Sequence, residues 1–382
     1  MRLRICTFNV ENLFTRHDFG AFTDHRDEKY LPAIVQFYGQ FGNGDFTKFE
    51  DFKRQVEVAA IAQDDDRRQH TALAMAAADA DIYCLQEVDN VNALERFFNS
   101  YVKKIGVDQY DQFVLHEGND FRGIDVAAIA RDIRPITTRS HRTVTGSYVK
   151  KTDSGKALLE EFELADQARK ERRGRIFRRD CLEIETRIRN ASGSINQEVS
   201  IFNCHFKSMG GGRTDSIGTR QLEAIAVREI ITRKFAGIEN PLWAIVGDLN
   251  DYKAKIKVGK GTDDNGLFNE TFQLVSGPSG LDPLLDDGFG VNLVDQLDES
   301  ERWTHYYSAE RTKSQLDYII ASPALADMQT GQPEIIRAGM PFRVPNTEAV
   351  SRYPRVGWDR PKASDHCPLT VEFDIKGLMN TA

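Results

Sequence analysis

The chain has 382 residues, 40% hydrophobic and 28% charged, so it can bury a core and hold one large domain or two average ones. Its formal charge of −8 argues against gathering polyanions by net attraction, so any phosphate binding must come from local patches. No apolar run approaches the roughly 20 residues that span a bilayer. Arg2 to Asn9 reads as a strand beginning almost at the initiator Met rather than as a signal peptide, which gives the expectation of a cytoplasmic protein with no membrane partner. Five cysteines (Cys6, Cys84, Cys181, Cys204, Cys367) form no CxxC pair and lie in apolar runs, so they read as reduced, buried thiols.

Predicted elements follow in chain order. Strands are expected at Leu3 to Asn9, Ile82 to Gln86, Phe113 to His116, Asp125 to Ala130, Ile176 to Ile188, Val199 to Phe206, Trp243 to Gly247, Leu316 to Ala321 and Leu369 to Phe373. Helices are expected at Arg67 to Ala78, Asn92 to Lys104 and Thr219 to Phe235, the last with an apolar stripe of Leu222, Ile225, Ala226 and Ile230. Three stretches fit no regular pattern and read as insertions into one domain spanning 1–382: near 13–65, 148–173 and 253–280. Strands that end on polar clusters, with helices outside, predict an α+β fold of two stacked sheets covered by helices. No obligate protein partner is evident.

Asn9 closes the first strand and Glu87 the second. A carboxylate beside an amide suits a hard cation such as Mg2+, which keeps several waters for a substrate phosphate. Singly, each reads as an ordinary strand-end residue. Asp365 in Ser364-Asp365-His366 and the pair Asp248 and Asn250 in Gly247-Asp248-Leu249-Asn250 strengthen the set. His205 alone would be a core histidine, but Lys207 projects to the same side of an extended chain, as if both face an anion. Asp317 is a charge in an apolar strand and needs a partner. His366 is the natural candidate, because an acidic histidine needs a carboxylate to fix its tautomer. Two basic clusters, Arg169 to Arg179 and the lysines at 253, 255, 257 and 260, are candidate phosphate patches, and the lysine set reads equally as a solvated face.

Phe8-Asn9-Val10, Leu85-Gln86-Glu87, His205, Gly247-Asp248-Leu249-Asn250, Leu316-Asp317-Tyr318 and Ser364-Asp365-His366, in this order from Leu3 to Phe373, resemble the endonuclease/exonuclease/phosphatase superfamily. The surrounding motifs look most like its bacterial secreted-type nucleases. The resemblance implies a four-layer α/β/β/α sandwich of two packed mixed sheets flanked by helices. It also implies metal-dependent hydrolysis of a phosphodiester in DNA or RNA. On that resemblance Glu87, helped by Asn9 and Asp365, holds Mg2+, with Mn2+ or Ca2+ as alternatives. Asp248 and Asn250 handle the attacking water and the phosphate, and His366, oriented by Asp317, contacts the scissile phosphate. His205 takes the place of a second histidine, Asp125 falls near that histidine's acidic partner, and Arg179 falls near a phosphate-contacting arginine. Two other readings stay open: a phosphoesterase for a small ester or lipid headgroup, which the acidic charge favours, and a non-catalytic phosphate-binding scaffold.

Overall fold

In the computed structural model the described residues are 2–13, 65–107, 109–120, 123–131, 136–171, 174–189, 195–262, 268–345 and 350–375. The strands are β1 Arg2–Leu13, β2 Ile82–Val88, β3 Tyr110–Leu115, β4 Asp125–Arg131, β5 Ile136–Ser140, β6 Cys181–Arg189, β7 Ile195–His205 and β8 Trp243–Asp248. They continue with β9 Ala254–Thr262, β10 Phe268–Ser276, β11 Val291–Asn292, β12 His305–Tyr307, β13 Thr312–Ser314, β14 Asp317–Ala321, β15 Gln329–Ile335 and β16 Leu369–Asp374. One six-stranded sheet has the order β15-β16-β1-β2-β4-β3 and a second has β11-β14-β8-β7-β6-β5. Each is mixed, with one parallel pair at its centre, β1 with β2 and β7 with β8.

The period-2 alternation of strand side chains sorts the residues into layers. Ile5, Ile82, Cys84 and Val126 of the first sheet meet Leu182, Ile184, Ile201, Val246 and Ile319 of the second in one buried cluster. The opposite faces, Cys6, Phe8, Tyr83, Leu85 and Ile129, pack on Ala74 and Met75 of helix 65–78 and on Leu94 and Phe97 of helix Val91–Phe97. On the far side Phe202, Cys204, Ile245 and Ile320 pack on Leu222, Ile225 and Ala226 of the 22-residue helix Arg213–Lys234. The α+β sandwich is therefore two mixed sheets face to face, each covered by helices.

The expected core strands are present, with shifted ends. The strand expected from Ile176 begins at Cys181, because 174–180 makes bends and one isolated bridge, Arg175 to Thr145, instead of extending the ladder. Insertion 148–173 is helical, at Asp153–Glu161 and Ala165–Lys170, and buries Leu158, Leu159 and Ala168 against the long helix. Insertion 253–280 is largely the hairpin β9–β10, which joins β13 and β12 in a separate four-stranded sheet. Its lysines hid the strand because they interrupt the apolar pattern: on β9 Lys255 Nζ pairs with Glu310 at 2.7 Å, and just before it Lys253 Nζ pairs with Asp282 at 3.3 Å. Most of insertion 13–65 lies outside the described residues. All five cysteines are free and buried. Among the described residues no helix is long and apolar enough to cross a membrane.

Topology then fixes where the polar strand ends go. β1 and β2 run parallel in register as far as Asn9 and Gln86, where the ladder is interrupted, so Asn9 and Glu87 sit at the same break. β16 runs against β1 and starts opposite Thr7, so Asp365 and His366 arrive at the same edge. In the second sheet His205 is level with Asp248 on the parallel pair, and Asp317 opens β14 opposite Asp248. Six separate chain segments deliver polar side chains to one rim.

Candidate active site

Gly247 sets the first contact. Its φ is +134°, and a Cβ there would lie 1.9 Å from the carbonyl oxygen of Cys204. Only glycine lets β8 approach β7 this closely, which seats Asp248 beside His205. Asp248 Oδ1 accepts the N–H of Asn250 at 2.9 Å. Its Oδ2 is ringed by nitrogen: Asn250 Nδ2 at 3.0 Å, Asn9 Nδ2 at 3.1 Å, His205 Nε2 at 3.6 Å and His366 Nε2 at 3.8 Å. Two amide donors and two imidazole nitrogens at ion-pair distance around one carboxylate oxygen form a place built to hold negative charge.

Asp317 and His366 meet as the sequence suggested. His366 Nδ1 donates to Asp317 Oδ2 at 2.8 Å, and both are buried. Thr304 Oγ1 accepts the N–H groups of Leu316 and Asp317, each at 3.0 Å, and so fixes the start of β14. Ser364 Oγ donates to the Asn9 carbonyl at 2.7 Å and accepts the His366 N–H at 3.1 Å, which stitches the two sheet ends together. Burial opposes charge on His366, but Asp317 and Asp248 outweigh it and hold the imidazole protonated well above the ordinary histidine range. Burial pushes Asp248 up to about 7, with the pull of His366 opposing and Asp317 adding repulsion.

Glu87 is the extra residue at a bulge in β2 and has a left-handed backbone, φ 65°; Glu11, Asn12 and Asn250 share that region at 49°, 62° and 52°. Non-glycine residues held there are uncommon, and clusters of them mark functional sites. Asn9 is oriented by its neighbours: its oxygen accepts the N–H of Glu11 at 2.9 Å, and its amide nitrogen serves Glu87 and Asp248. In this arrangement Asn9 acts as a donor to two carboxylates. Glu87 is raised by burial and then by the neighbouring Asp365. Asp365 is lowered to about 2, because His366 and Lys362 outweigh its burial.

Two carboxylates side by side, with oxygen donors only, fit a hard divalent cation. Tighter groups also exist: His305, Asp365 and His366, and Asp248, Asp317 and His366, have donor atoms within 4.8 Å of each other. Both depend on His366, whose imidazolium has no free lone pair to offer, so Glu87 and Asp365 are the better donor set.

The remaining expected residues line or support the rim. Arg179 is buried, donating from Nη1 to the Phe206 carbonyl at 2.9 Å and pairing through Nε with Asp120 at 3.2 Å. Asp125 accepts the Gly118 N–H at 2.8 Å and is pushed up to about 6 by burial. Lys207 lies past the end of β7, not on it, and its Nζ donates to the Ser208 carbonyl at 2.8 Å. In the arginine run, Arg169 pairs with Asp166, Arg178 with Glu171 and Arg175 with Asn119, while Arg172 and Arg173 lie outside the described residues.

Sequence reasoning missed His305. It opens the three-residue β12, bridges to His366, and its ring centroid lies 4.9 Å from that of His366. Burial, then repulsion from His366, lowers it to about 3, so it stays neutral. Also missed was Asp251, whose carboxylate meets Arg220 Nε at 2.9 Å and Arg213 Nε at 2.8 Å, anchoring the loop after Asn250 to the long helix. Arg220 and Asp251 are fully buried.

No family model matches the chain, and no curated protein matches it. Solved structures do. It is similar to an endonuclease/exonuclease/phosphatase family protein from Bacteroides thetaiotaomicron, at 14% identity over 100% of this chain and 99% of that one, with a TM-score of 0.49. It is also similar to the catalytic domain of APE2 from Xenopus laevis, at 13% identity over 97% and 91%, TM-score 0.49. A third is the human Nocturnin catalytic domain, at 13% identity over 98% and 94%, TM-score 0.46. No functional statement follows from likeness this remote.

Proposed function

We propose that this chain is a divalent-metal-dependent phosphodiesterase of the endonuclease/exonuclease/phosphatase superfamily, with DNA or RNA as its substrate class. The observation that carries the reading is the convergence on one rim of the carboxylates Glu87 and Asp365, the base Asp248, and the donors Asn9, Asn250, His205 and His366. Metal-assisted phosphoester hydrolysis needs this combination.

A substrate phosphate would sit where the nitrogens ring Asp248. His205 then donates to a non-bridging oxygen, and His366 places a fixed positive charge there, kept protonated by Asp317, while Asn250 spends its two side-chain N–H groups on Asp248 and the Phe206 carbonyl. Asp248, pushed up to about 7 by its burial, takes the proton of the attacking water as the new oxygen–phosphorus bond forms and the ester bond breaks. Asn9 and Asn250 hold Asp248 in one orientation, so the water is aimed rather than free. His366 Nε2 is 3.8 Å from Asp248, on the attack side, so it stabilises charge and the leaving oxygen draws its proton from solvent. A cation held by Glu87 and Asp365, most simply Mg2+, would supply positive charge to the phosphoryl and leaving oxygens.

The test is a side-by-side assay of plasmid DNA, RNA and small phosphate mono- and diesters with Mg2+, Mn2+ and Ca2+. Metal-dependent cleavage of a polymer supports the reading. Turnover confined to a small ester moves the assignment to a small-molecule phosphoesterase, and binding of phosphate without any turnover moves it to a scaffold.

A further inference from the structure

The stretch 337–362 leads straight into Asp365 and His366 and differs in charge from the rest of this acidic chain. It contains six cations (Arg337, Arg343, Arg352, Arg355, Arg360, Lys362) against two acids, Glu348 and Asp359. Met340 and Val344 face inward, packed with Trp303, Tyr306 and Cys367. Phe342 lies between them and is 55% exposed, and Trp358 is 73% exposed. The other two tryptophans, Trp243 and Trp303, are buried.

These two aromatics are held on a fixed backbone. The Phe342 N–H donates to the Gly357 carbonyl at 3.0 Å and the Arg343 N–H to that of Trp358 at 2.8 Å. The Ala363 N–H donates to the Gly339 carbonyl at 2.9 Å, which closes the base of the loop beside the catalytic segment. The side chains of Arg360 and Arg355 are 73% and 59% exposed; Arg360 lies 4.0 Å from Glu11 and Arg355 meets Asp66 at 2.7 Å, solvent-facing pairs of little net strength that a phosphate can replace. Lys362 Nζ reaches Glu11 at 3.0 Å, and the Glu11 N–H holds Asn9, so the loop is continuous with the site. Rigid, exposed aromatic rings flanked by exposed guanidinium groups are the chemistry that binds single-stranded nucleic acid: each base stacks on a ring while cations follow the phosphates. Arg343 and Asp359, paired at 3.0 Å between the two aromatics, make the patch too polar for a hydrocarbon interior.

We propose that Phe342 and Trp358, with Arg355 and Arg360, form a stacking platform for an unpaired stretch of nucleic acid entering the active site. This deepens the nuclease reading and rests on it for the direction of entry. Because Trp358 is the exposed tryptophan, its fluorescence reports stacking directly. With metal removed by chelation, titrating a single-stranded oligonucleotide into the wild-type protein should give saturable quenching that Trp358→Ala abolishes. Anisotropy of a labelled oligonucleotide should show affinity falling about tenfold in Trp358→Ala and less in Trp358→Phe, which keeps a ring, with a smaller loss on paired duplex. Failure of single strands to quench, or quenching by phosphatidylcholine–phosphatidylserine vesicles in their place, would overturn the platform. Quenching without cleavage under any metal would leave the platform standing and remove the nuclease reading; cleavage without quenching would do the reverse.

Discussion

Glu87 keeps a left-handed backbone that a glutamate adopts only when its surroundings impose it. Its value is the position of one carboxylate beside Asp365. Glu87→Gln keeps the shape and removes the charge, so we expect hydrolysis to fall by at least about 10²-fold. Mg2+ affinity by titration calorimetry should weaken, with little change in melting temperature. Full turnover at moderate Mg2+ would refute the metal assignment. The second residue to test is Asp317. Asp317→Asn preserves a hydrogen-bonding group next to His366 but removes the charge that keeps the imidazole protonated. The rate should drop about 10²–10³-fold in single-turnover kinetics while oligonucleotide binding is largely kept. A rate within a few-fold of wild type would mean that His366 needs no charged partner.

At the scale of elements, two buried ionic contacts join helix to sheet. Arg220 on the long helix and Asp251 after β8 are both fully buried, so deleting either leaves the other charge uncompensated. Arg220→Ala should cost about 3–5 kcal/mol in urea denaturation. It should also lower activity per folded molecule, because the Asp248–Asn250 turn loses its anchor. The second contact ties β6 to the end of the same helix: Glu183 accepts from His141 Nε2 at 2.6 Å and from Lys234 Nζ at 2.8 Å. Burial alone would raise Glu183, but these two partners outweigh it and lower it from a usual 4.5 to about 2. A carboxylate depressed in the folded state stabilises fully above its unfolded pKa, and that share is lost as pH falls from about 4.5 toward 2. We expect Glu183→Gln to be less stable than wild type at neutral pH, with the gap closing below about pH 4. A pH-independent gap in thermal melts would show that packing, not charge, was lost.

For the whole molecule, a net charge of −8 and a cationic approach to the site pull in opposite directions. Affinity for a polymer should then depend on a few local cations. We expect binding of single-stranded oligonucleotide to weaken about twentyfold between roughly 50 and 200 mM salt, with a slope corresponding to about three phosphate contacts. Replacing Arg355 and Arg360 with Gln should flatten that slope. A salt-independent affinity would argue for a small uncharged or monoanionic ligand. The arginines between 169 and 179 looked like the phosphate patch from sequence, but Arg178 and Arg179 are tied to the buried carboxylates of Glu171 and Asp120, whereas the partners of Arg355 and Arg360 leave both guanidinium groups largely in solvent.

The sequence by itself determined which polar residues interrupt the apolar strands, though not where each strand stops. An apolar run that stops on Asn, Glu, His or Asp-x-Asn is a local pattern, and local patterns survive into the fold because strand periodicity dictates which side chains face the core. That is why Asn9, Glu87, His205, Asp248, Asn250, Asp317 and His366 were all visible as candidates. Which ends meet was decided by tertiary structure: the parallel register of β7 with β8, the antiparallel entry of β14 and β16, and the close approach that Gly247 permits. Long-range pairing also hid the rest. His305 sits on a strand too short to show periodicity, and Arg220 reads as a solvent-facing helix residue until Asp251, 31 positions away, is folded against it. The β9–β10 hairpin looked irregular because Lys255 and Lys257 put charge on one face of β9, and the partner Glu310 and the flanking strand β13 reach it only after the chain has folded.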